Sequence, residues 1–156
     1  MLIQACDPES AEAQVLLAKL SAALAAITGD SGAASYSADD ARVARSLFVV
    51  ARNGDGDLLG CGALRPLDGD VGEIKRMYAR AGSRGVGAAL LAHLESAAQG
   101  FGYRVLWLET RRVNARAVDF YQRHGYATIA NYGKYVGRPA AICFGKRLPV
   151  DVPVQE

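Results

Sequence analysis

Apolar residues recur along the first third of this 156-residue chain at spacings that predict a strand, a helix and a loop. Residues 2–6 predict a short strand, and Asp7 followed by Pro8 predicts the start of a helix, since proline is favoured in a first helical turn. The apolar positions of this helix lie three and four residues apart, which predicts one face packed on a sheet. They are Val15, Leu16, Leu20, Leu24 and Ile27. Residues 28–37 are rich in Gly, Ser, Asp and Ala, which predicts a loop that borders a cleft, and Ser37 predicts the cap of a short second helix.

The middle of the chain predicts three antiparallel strands in sequence. Residues 47–51 and 58–64 are apolar and are joined by Asn53-Gly-Asp-Gly, a sequence typical of a tight hairpin turn. A second turn at 68–72, also built from Asp and Gly, leads into a third strand at 73–79. Connections this short favour neighbouring strands that run in opposite directions.

Helices and strands alternate in the rest of the chain. The predicted helices are 87–99 and 115–123, with a strand at 105–110 between them and two closing strands at 126–130 and 141–146. A helix that connects 73–79 to 105–110 predicts that these two strands run parallel. Asn114 predicts the N-cap of the last helix, and Gly125 predicts its left-handed C-terminus. Residues 149–156 are expected to form a frayed tail.

Composition narrows the class of protein. With 51% hydrophobic and 22% charged residues, the chain predicts a single globular domain spanning residues 1–156. The 18 basic and 16 acidic residues nearly cancel, to a net charge of +2. This is too small a charge for a protein that binds nucleic acid mainly by electrostatic attraction. The three widely spaced cysteines predict neither a disulfide framework nor a zinc site, and no other metal is expected.

Targeting segments are not expected either. The first ten residues lack the cationic start and apolar core of a leader peptide, and no apolar segment approaches the roughly 18 residues of a membrane span. We therefore expect a soluble, cytoplasmic protein without a membrane partner, and we leave a homodimer open.

The turn at 80–88 combines three glycines with two arginines and a serine. Exposed backbone N–H groups at such a turn, together with the positive end of a helix dipole, form a site for a phosphate or pyrophosphate. A flexible connector before a helix is the alternative interpretation of the same pattern. Neither common nucleotide fingerprint, GxGxxG or GxxxxGK(S/T), occurs in the sequence.

Two further groups of residues are candidates for chemistry. The last predicted helix carries a stripe that either packs in the core or faces a ligand. Its members are Asn114, Ala117, Val118 and Tyr121. Glu73 and Glu109 lie on the two strands predicted to be parallel, and both could reach an opening at the ends of these strands. The alternative for each carboxylate is a surface ion pair with a neighbouring Lys or Arg.

The order of these features resembles the GNAT superfamily of acetyl-CoA-dependent N-acetyltransferases over nearly the whole chain. The most specific parts are GEIKRMYA followed by GSRGVGAALL, then LWLET, then NARAVDFYQRHGY, which is similar to the family's N-x-x-A-x-x-x-Y-x-x-x-G-(F/Y) pattern. The resemblance implies a mixed α/β (α+β) fold. Its sheet would be mostly antiparallel, with six to seven strands, a parallel central pair splayed in a V, and about four flanking helices.

The family's phosphate loop, (Q/R)-x-x-G-x-(G/A), fits this sequence in two phases. The first phase takes Arg84, Gly87 and Ala89 and satisfies every position. The second takes Gly82, Gly85 and Gly87, so that a glycine stands where Arg or Gln is expected. We favour the second phase because the leucines of the helix then follow the last glycine at the family's usual spacing.

The resemblance implies acetyl-CoA as the cosubstrate, bound across the opening. Its pantetheine arm would pair like an added strand with the backbone of Met77, Tyr78 and Ala79. The pyrophosphate would lie over the turn and the helix start, and the helix stripe would contact the pantetheine and the thioester. The positions for the pyrophosphate are Gly82, Ser83, Arg84, Gly85, Val86, Gly87 and Ala88. The positions for the pantetheine and the thioester are Asn114, Ala117 and Tyr121.

The resemblance also implies the chemistry, which is direct transfer of an acetyl group to a primary amine without an acyl-enzyme. The amine must lose a proton before it attacks, and Glu73 lies on the strand where some family members carry their base. Tyr121 is the candidate proton donor to the leaving thiolate. Glu109 and a water chain remain alternatives for the base. The alternative function is a non-catalytic acyl-CoA-binding regulatory or scaffold module with the same fold.

The acceptor is expected to be a small molecule. The loops at 28–38 and 131–139 should line its side of the cleft, and their basic and aromatic residues favour an acceptor that bears a carboxylate. The same residues could also form only a solvated rim. The candidates are Tyr36, Glu109, Tyr132, Lys134, Tyr135 and Arg138.

Overall fold

The computed structural model describes residues 1–150 and, within them, shows a seven-stranded sheet and three α-helices. The strands are β1 (Leu2–Ala5), β2 (Leu47–Arg52), β3 (Leu58–Asp68), β4 (Val71–Ala79), β5 (Val105–Arg111), β6 (Ala127–Ile129) and β7 (Ala141–Arg147). The helices are α1 (Ala11–Thr28), α2 (Val86–Gly100) and α3 (Ala115–Arg123), and short 3₁₀ turns lie at Ala33–Ser35, Ala38–Ala41 and Gly133–Tyr135. Of the expected frayed tail, residues 151–156 lie outside the described residues.

The sheet has the strand order β1-β2-β3-β4-β5-β7-β6. β4 and β5 run parallel, and every other neighbouring pair in residues 1–150 is antiparallel. The predicted mixed fold, its three consecutive antiparallel strands and its parallel pair are therefore confirmed. The short helix predicted after Ser37 is a 3₁₀ turn closed by a capping box with Asp40, because four residues are too few to propagate an α-helix.

Helix ends follow local capping chemistry. α1 begins after Ser10, not at Asp7 as predicted, because the Ser10 hydroxyl accepts the N–H of Ala13 at 3.2 Å. The carboxylate of Asp7 instead accepts a backbone N–H in the turn before the helix. α3 begins after Asn114, as predicted, and the Asn114 side chain accepts the N–H of Ala117 at 3.3 Å.

The sheet is covered on both faces, because alternate residues of β2 pack into different cores. Val49 and Ala51 pack with α2 and α3, whereas Phe48 and Val50 pack with α1. The buried residues of α1 are Ala13, Leu16 and Leu20. Val15 and Ile27 were predicted on the packed face but are each 48% exposed. Val15 lies off the buried stripe, whereas Ile27 continues the stripe but lies in the last turn of α1.

By length and composition alone, α1 is long and apolar enough to cross a membrane. This corrects the expectation that no apolar segment of the chain approaches that length. Much of the apolar composition of α1 is alanine, and the helix packs on the sheet through its three buried residues. A core helix of a soluble protein passes the same composition test.

The helix α2 packs closely on the sheet because β3 carries glycines beneath it. A Cβ on Gly62 would lie 2.9 Å from the side chain of Leu94. A Cβ on Gly60 would clash with the carbonyl oxygen of Tyr78 and lie 3.0 Å from the side chain of Leu90. These glycines therefore fix the depth at which α2 sits, and with it the position of the turn that precedes the helix.

Replacing Gly60 by alanine should destabilise the fold by about 1–3 kcal/mol, because an overpacked interior forces side chains and backbone to move. Urea denaturation followed by circular dichroism should show a lower midpoint at an unchanged m-value. Gly54→Ala is the matched control, since a Cβ there would meet nothing within 4 Å. Equal losses of stability in the two variants would contradict the prediction.

Candidate active site

The parallel strands β4 and β5 separate at one end and open a cleft. They pair only through residues 71–73 and 105–107. Both strands continue beyond this point, to Ala79 and Arg111, without further pairing to each other. A cavity of about 350 Å³ lies in the gap and is bordered by β4, β5, α1, α3 and the segments 28–35 and 134–138. The V-shaped opening implied by the resemblance is confirmed.

A β-bulge at Arg76 turns β4 at the mouth of the cleft. Cys61 pairs with Tyr78 and Ala63 pairs with Lys75, so β4 has one residue more than β3 between these pairs. Arg76 has a φ of 52°, which is uncommon for a non-glycine residue and persists only where the surroundings hold it. Its guanidinium donates to three oxygen atoms of α1 and the following loop. They belong to the Leu17 carbonyl (3.4 Å), the Ser21 hydroxyl (2.6 Å) and the Ser31 carbonyl (3.0 Å).

Beyond the bulge, β4 has an open edge toward the cleft. Tyr78 and Ala79 pair with β3 on their other side, and β5 no longer pairs with them. Met77 lines the cavity. The backbone at 77–79 can therefore pair with an extended ligand in the manner of an added strand.

The turn between β4 and α2 presents an open helix N-terminus. Gly82 and Gly85 have φ values of 81° and 72°, a left-handed conformation that glycine adopts without strain. Gly85 is the N-cap residue and has no side chain, so the N–H groups of the first turn lack an acceptor within the helix. A Cβ at either glycine would meet nothing within 4 Å, which shows that the turn is open. Gly87 serves packing instead, because a Cβ there would lie 3.2 Å from the ring of Phe120.

The stripe on α3 divides between the cleft and the core. Asn114, Ala117 and Tyr121 line the cavity, whereas Val118 packs in the core. The Asn114 side chain uses its carbonyl oxygen to cap α3, which leaves its NH₂ group as a donor. Burial raises the pKa of Tyr121, so its phenol stays protonated. Within residues 1–150 the Tyr121 side chain makes no hydrogen bond.

Glu73 lies outside the lining of the opening that the sequence analysis expected its carboxylate could reach. The residue is only 1% exposed and is absent from the lining of the cavity. One carboxylate oxygen accepts a hydrogen bond from Nε of Arg65 at 2.8 Å and lies 2.8 Å from its Nη2 atom. The other oxygen accepts a hydrogen bond from the Tyr132 hydroxyl. The Lys75 ammonium lies 3.9 Å from the same carboxylate. Glu73 is therefore the centre of a buried polar network.

Glu109 does line the cleft, and its carboxylate is poorly satisfied. Its Oε1 atom is buried and has no hydrogen-bond partner in residues 1–150. The nearest guanidinium nitrogen, Nε of Arg111, lies 3.9 Å away. Burial raises the pKa of Glu109, while the charges of Arg111, Lys75 and Lys134 act in the opposite direction. Of the two carboxylates considered from the sequence, Glu109 is the one available to a ligand.

The aromatic candidates for the acceptor side lie in different places. Tyr135 lines the cleft, and its hydroxyl accepts a hydrogen bond from Lys75 at 3.0 Å. Tyr132 binds Glu73 and packs against Trp107. The Tyr36 ring lies in a separate groove between α1 and the segment that follows it. Tyr36 and Tyr132 are therefore not part of the cleft lining.

Two residues of the cleft, Lys75 and Arg76, had no site role in the sequence analysis. They are consecutive cations inside an apolar strand. This pattern could have identified them, because a buried charge requires polar partners. Lys75 is buried, and burial lowers its pKa. The described residues contain no group of three or more His, Cys, Asp or Glu side chains that could hold a metal ion.

Comparisons with solved structures define the class of protein. A protein from Klebsiella pneumoniae, provisionally named an acyl-CoA N-acyltransferase, matches with a TM-score of 0.79 at 27% identity, over 94% of this chain and 97% of that one. An aminoglycoside 6'-N-acetyltransferase complexed with coenzyme A matches with a TM-score of 0.65 at 16% identity, over 100% of both chains. The second likeness is one of fold alone. The fold is that of acyl-CoA-dependent N-acyltransferases.

Sequence comparison identifies the family. An IAA acetyltransferase from Azospirillum brasilense is 35% identical over 104 residues, which is 65% of this chain and 67% of that protein. Residues 20–126 match the acetyltransferase (GNAT) family, and the chain belongs to it. The matched regions span 55–69% of the length of the curated relatives.

Replacing Arg65 by methionine should destabilise the protein by about 3–5 kcal/mol, because the substitution leaves the buried Glu73 carboxylate without its main cation. Urea denaturation should measure this loss. Arg104→Met is the matched control, since the side chains of Arg104 and Asp70 are 71% and 57% exposed and such pairs contribute about 1 kcal/mol or less. A loss no larger than that of the control would contradict a structural role for the network.

Proposed function

We propose that this protein is an N-acetyltransferase that transfers the acetyl group of acetyl-CoA to a primary amine of a small molecule, with Glu109 as the general base. The observation that carries the proposal is the buried, unpartnered Oε1 atom of Glu109 in the cleft. The Glu109 side chain is 12% exposed at the cleft, and an acceptor that lacks a hydrogen bond inside the protein can take one from an amine that enters it.

The geometry of β4 and α2 supports acetyl-CoA as the cosubstrate. The open backbone edge at 77–79 suits the amides of a pantetheine arm, and the open first turn of α2 suits a pyrophosphate. The exposed side chains of Arg80 and Arg84 flank this turn and can supply positive charge. The two glycines with positive φ, Gly82 and Gly85, belong to the favoured phase of the loop motif. A protein of the same fold, an aminoglycoside 6'-N-acetyltransferase, is complexed with coenzyme A, which supports acetyl-CoA as the cosubstrate.

The reaction requires a neutral amine, because an alkylammonium group with a pKa of about 10.4 has no free electron pair. In the proposed mechanism Glu109 takes a proton from the acceptor amine. The nitrogen then attacks the thioester carbonyl carbon, the C–N bond forms, and the C–S bond breaks. As the C–S bond breaks, the nitrogen loses its second proton to water and becomes an amide. Coenzyme A leaves as a thiolate, and water passes that proton on to it. Holding both substrates in line across the cleft supplies a further part of the rate.

Tyr121 is proposed to assist the departing thiolate as a hydrogen-bond donor. Tyr121 lines the cleft, and its hydroxyl makes no hydrogen bond within residues 1–150. Because burial raises the pKa of Tyr121 above that of a thiol, which is about 8.5, complete proton transfer from the phenol is unfavourable. The donor therefore stabilises the thiolate, and water supplies its final proton.

Direct attack is favoured over an acyl-enzyme because the buried thiols are poor nucleophiles. Cys61 and Cys143 are both fully buried, and neither lines the cleft. Burial raises the pKa of Cys61 to about 12 and also raises the pKa of Cys143. Since the thiolate is the reactive form, neither residue is suited to carry an acetyl group.

Replacing Glu109 by glutamine should lower kcat/KM by about 10²–10⁴ at neutral pH, because the substitution removes the base with little change of shape. A thiol reagent would follow coenzyme A release across a panel of amines, and calorimetry should show retained coenzyme A binding.

Glu73→Gln is the matched control. It should lower the melting temperature, and it should lower kcat/KM less than Glu109→Gln does. A larger loss of activity for Glu73→Gln than for Glu109→Gln, measured where both are folded, would contradict the assignment of the base. Intact coenzyme A binding without release from the wild-type protein would instead support the non-catalytic acyl-CoA-binding module.

The pH profile of kcat/KM should show an acid limb governed by Glu109. Burial raises the pKa of this carboxyl above its ordinary value of 4.5, so activity should rise as the pH passes upward through the raised pKa. The positive charge of Lys134 lowers the pKa of Glu109, so Lys134→Gln should move the limb to higher pH. The exposed Lys19 is a control for net charge, and Lys19→Gln should leave the limb in place. A shift to lower pH in Lys134→Gln would contradict the role of Glu109.

A further inference from the structure

Basic residues outnumber acidic residues in the lining of the cleft. Two acidic residues and five basic residues line it. The acidic residues are Asp30 and Glu109, and the basic residues are Lys75, Arg76, Arg111, Lys134 and Arg138. Since the whole chain is nearly balanced, with 18 basic and 16 acidic residues, this excess is a local property of the cleft.

Three of these cations are already engaged by the protein. Arg76 donates to oxygen atoms of α1 and the following loop. Arg111 lies 3.3 Å from the carboxylate of Asp30. Lys75 is buried and donates to the Tyr135 hydroxyl. These three side chains shape the wall of the cleft but have limited freedom to bind a ligand.

The other two cations, Lys134 and Arg138, are free to bind. Both side chains are exposed, and neither forms an ion pair with any residue of the described chain. Lys134 lines the cleft together with Asp30 and Glu109. Arg138 presents a planar guanidinium fork, which matches the two oxygen atoms of a carboxylate.

The loop that carries these two cations has a fixed shape. The Asn131 side chain donates to the carbonyl oxygens of Tyr135 and Arg138, each at 3.1 Å. Two further backbone hydrogen bonds, from Arg138 to Tyr135 and from Ala141 to Arg138, measure 3.0 and 3.1 Å. The Tyr135 side chain is buried and anchors the loop to β4 through Lys75. A preorganised loop of this kind reduces the entropy lost when its side chains bind a ligand.

We infer that the acceptor is a small amine that also carries a carboxylate, with its amine at Glu109 and its carboxylate at Arg138 and Lys134. This inference rests on the proposed function and specifies its substrate. The same positive charge disfavours polycationic acceptors, because each additional ammonium group would face uncompensated cations at the rim.

The test is a comparison of matched acceptors with the full-length protein and acetyl-CoA. Glycine, β-alanine and longer ω-amino acids would each be paired with the corresponding carboxamide, which keeps the length but removes the charge. We expect kcat/KM to favour at least one amino acid over its carboxamide by about tenfold or more, since a charged hydrogen bond is lost in the amide. Arg138→Gln and Lys134→Gln should each reduce this ratio, as should added salt. Lys19→Gln should leave the ratio unchanged.

Carboxamides that equal or surpass every amino acid, in an enzyme that releases coenzyme A, would overturn the inference and leave the proposed function standing. If the protein releases no coenzyme A, binding of the acceptor is measured as a second readout. Calorimetric titration of the coenzyme A complex with the amino acids would then show binding that depends on Arg138, which would support the carboxylate site and overturn the proposed function. If the protein shows neither turnover nor such binding, both the inference and the proposed function are overturned.

Discussion

The early end of the pairing between β4 and β5 is the constraint on which the rest of the site depends. Two parallel strands that share only three paired positions must separate, and the separation leaves unpaired backbone and a space between them. The bulge at Arg76 continues this divergence, and the Arg76 guanidinium holds the turned strand against α1. The cleft is thus a product of interrupted sheet hydrogen bonding, stabilised by a tether to a neighbouring helix.

A second constraint comes from charge buried beside the cleft. Glu73 is surrounded by Arg65, Lys75 and Tyr132, and Arg65 also lies 3.0 Å from Asp40 in the 3₁₀ turn after α1. This network joins β3, β4, the turn and the segment before β7. Its members must keep each other satisfied, because an unpaired charge in such a place is costly. The network therefore makes one side of the cleft rigid, while on the other side the Oε1 atom of Glu109 has no hydrogen-bond partner in residues 1–150.

Much of this architecture could be predicted from the sequence because its signals are local. The turn Asn53-Gly-Asp-Gly, the cap at Asn114 and the connecting helix between β4 and β5 each identify a feature from neighbouring residues alone. The direction of the Glu73 side chain could not be predicted, since it depends on register and on partners about 60 residues away, such as Tyr132. Arg76 was missed for the same reason, because its bulge and its contacts with α1 arise only when distant elements pack together.

The loop between β6 and β7 has a consequence for how this fold diversifies. The loop is closed by hydrogen bonds from Asn131 to its own backbone, and its internal bonds involve neither α2 nor α3. A replacement or insertion that keeps Tyr132 and Tyr135, which bond to Glu73 and Lys75, would change the wall of the cleft without disturbing the open strand edge or the helix N-terminus. The loop can in this sense be exchanged between relatives while the rest of the fold is kept. Grafting it would be a direct route to new acceptor preferences.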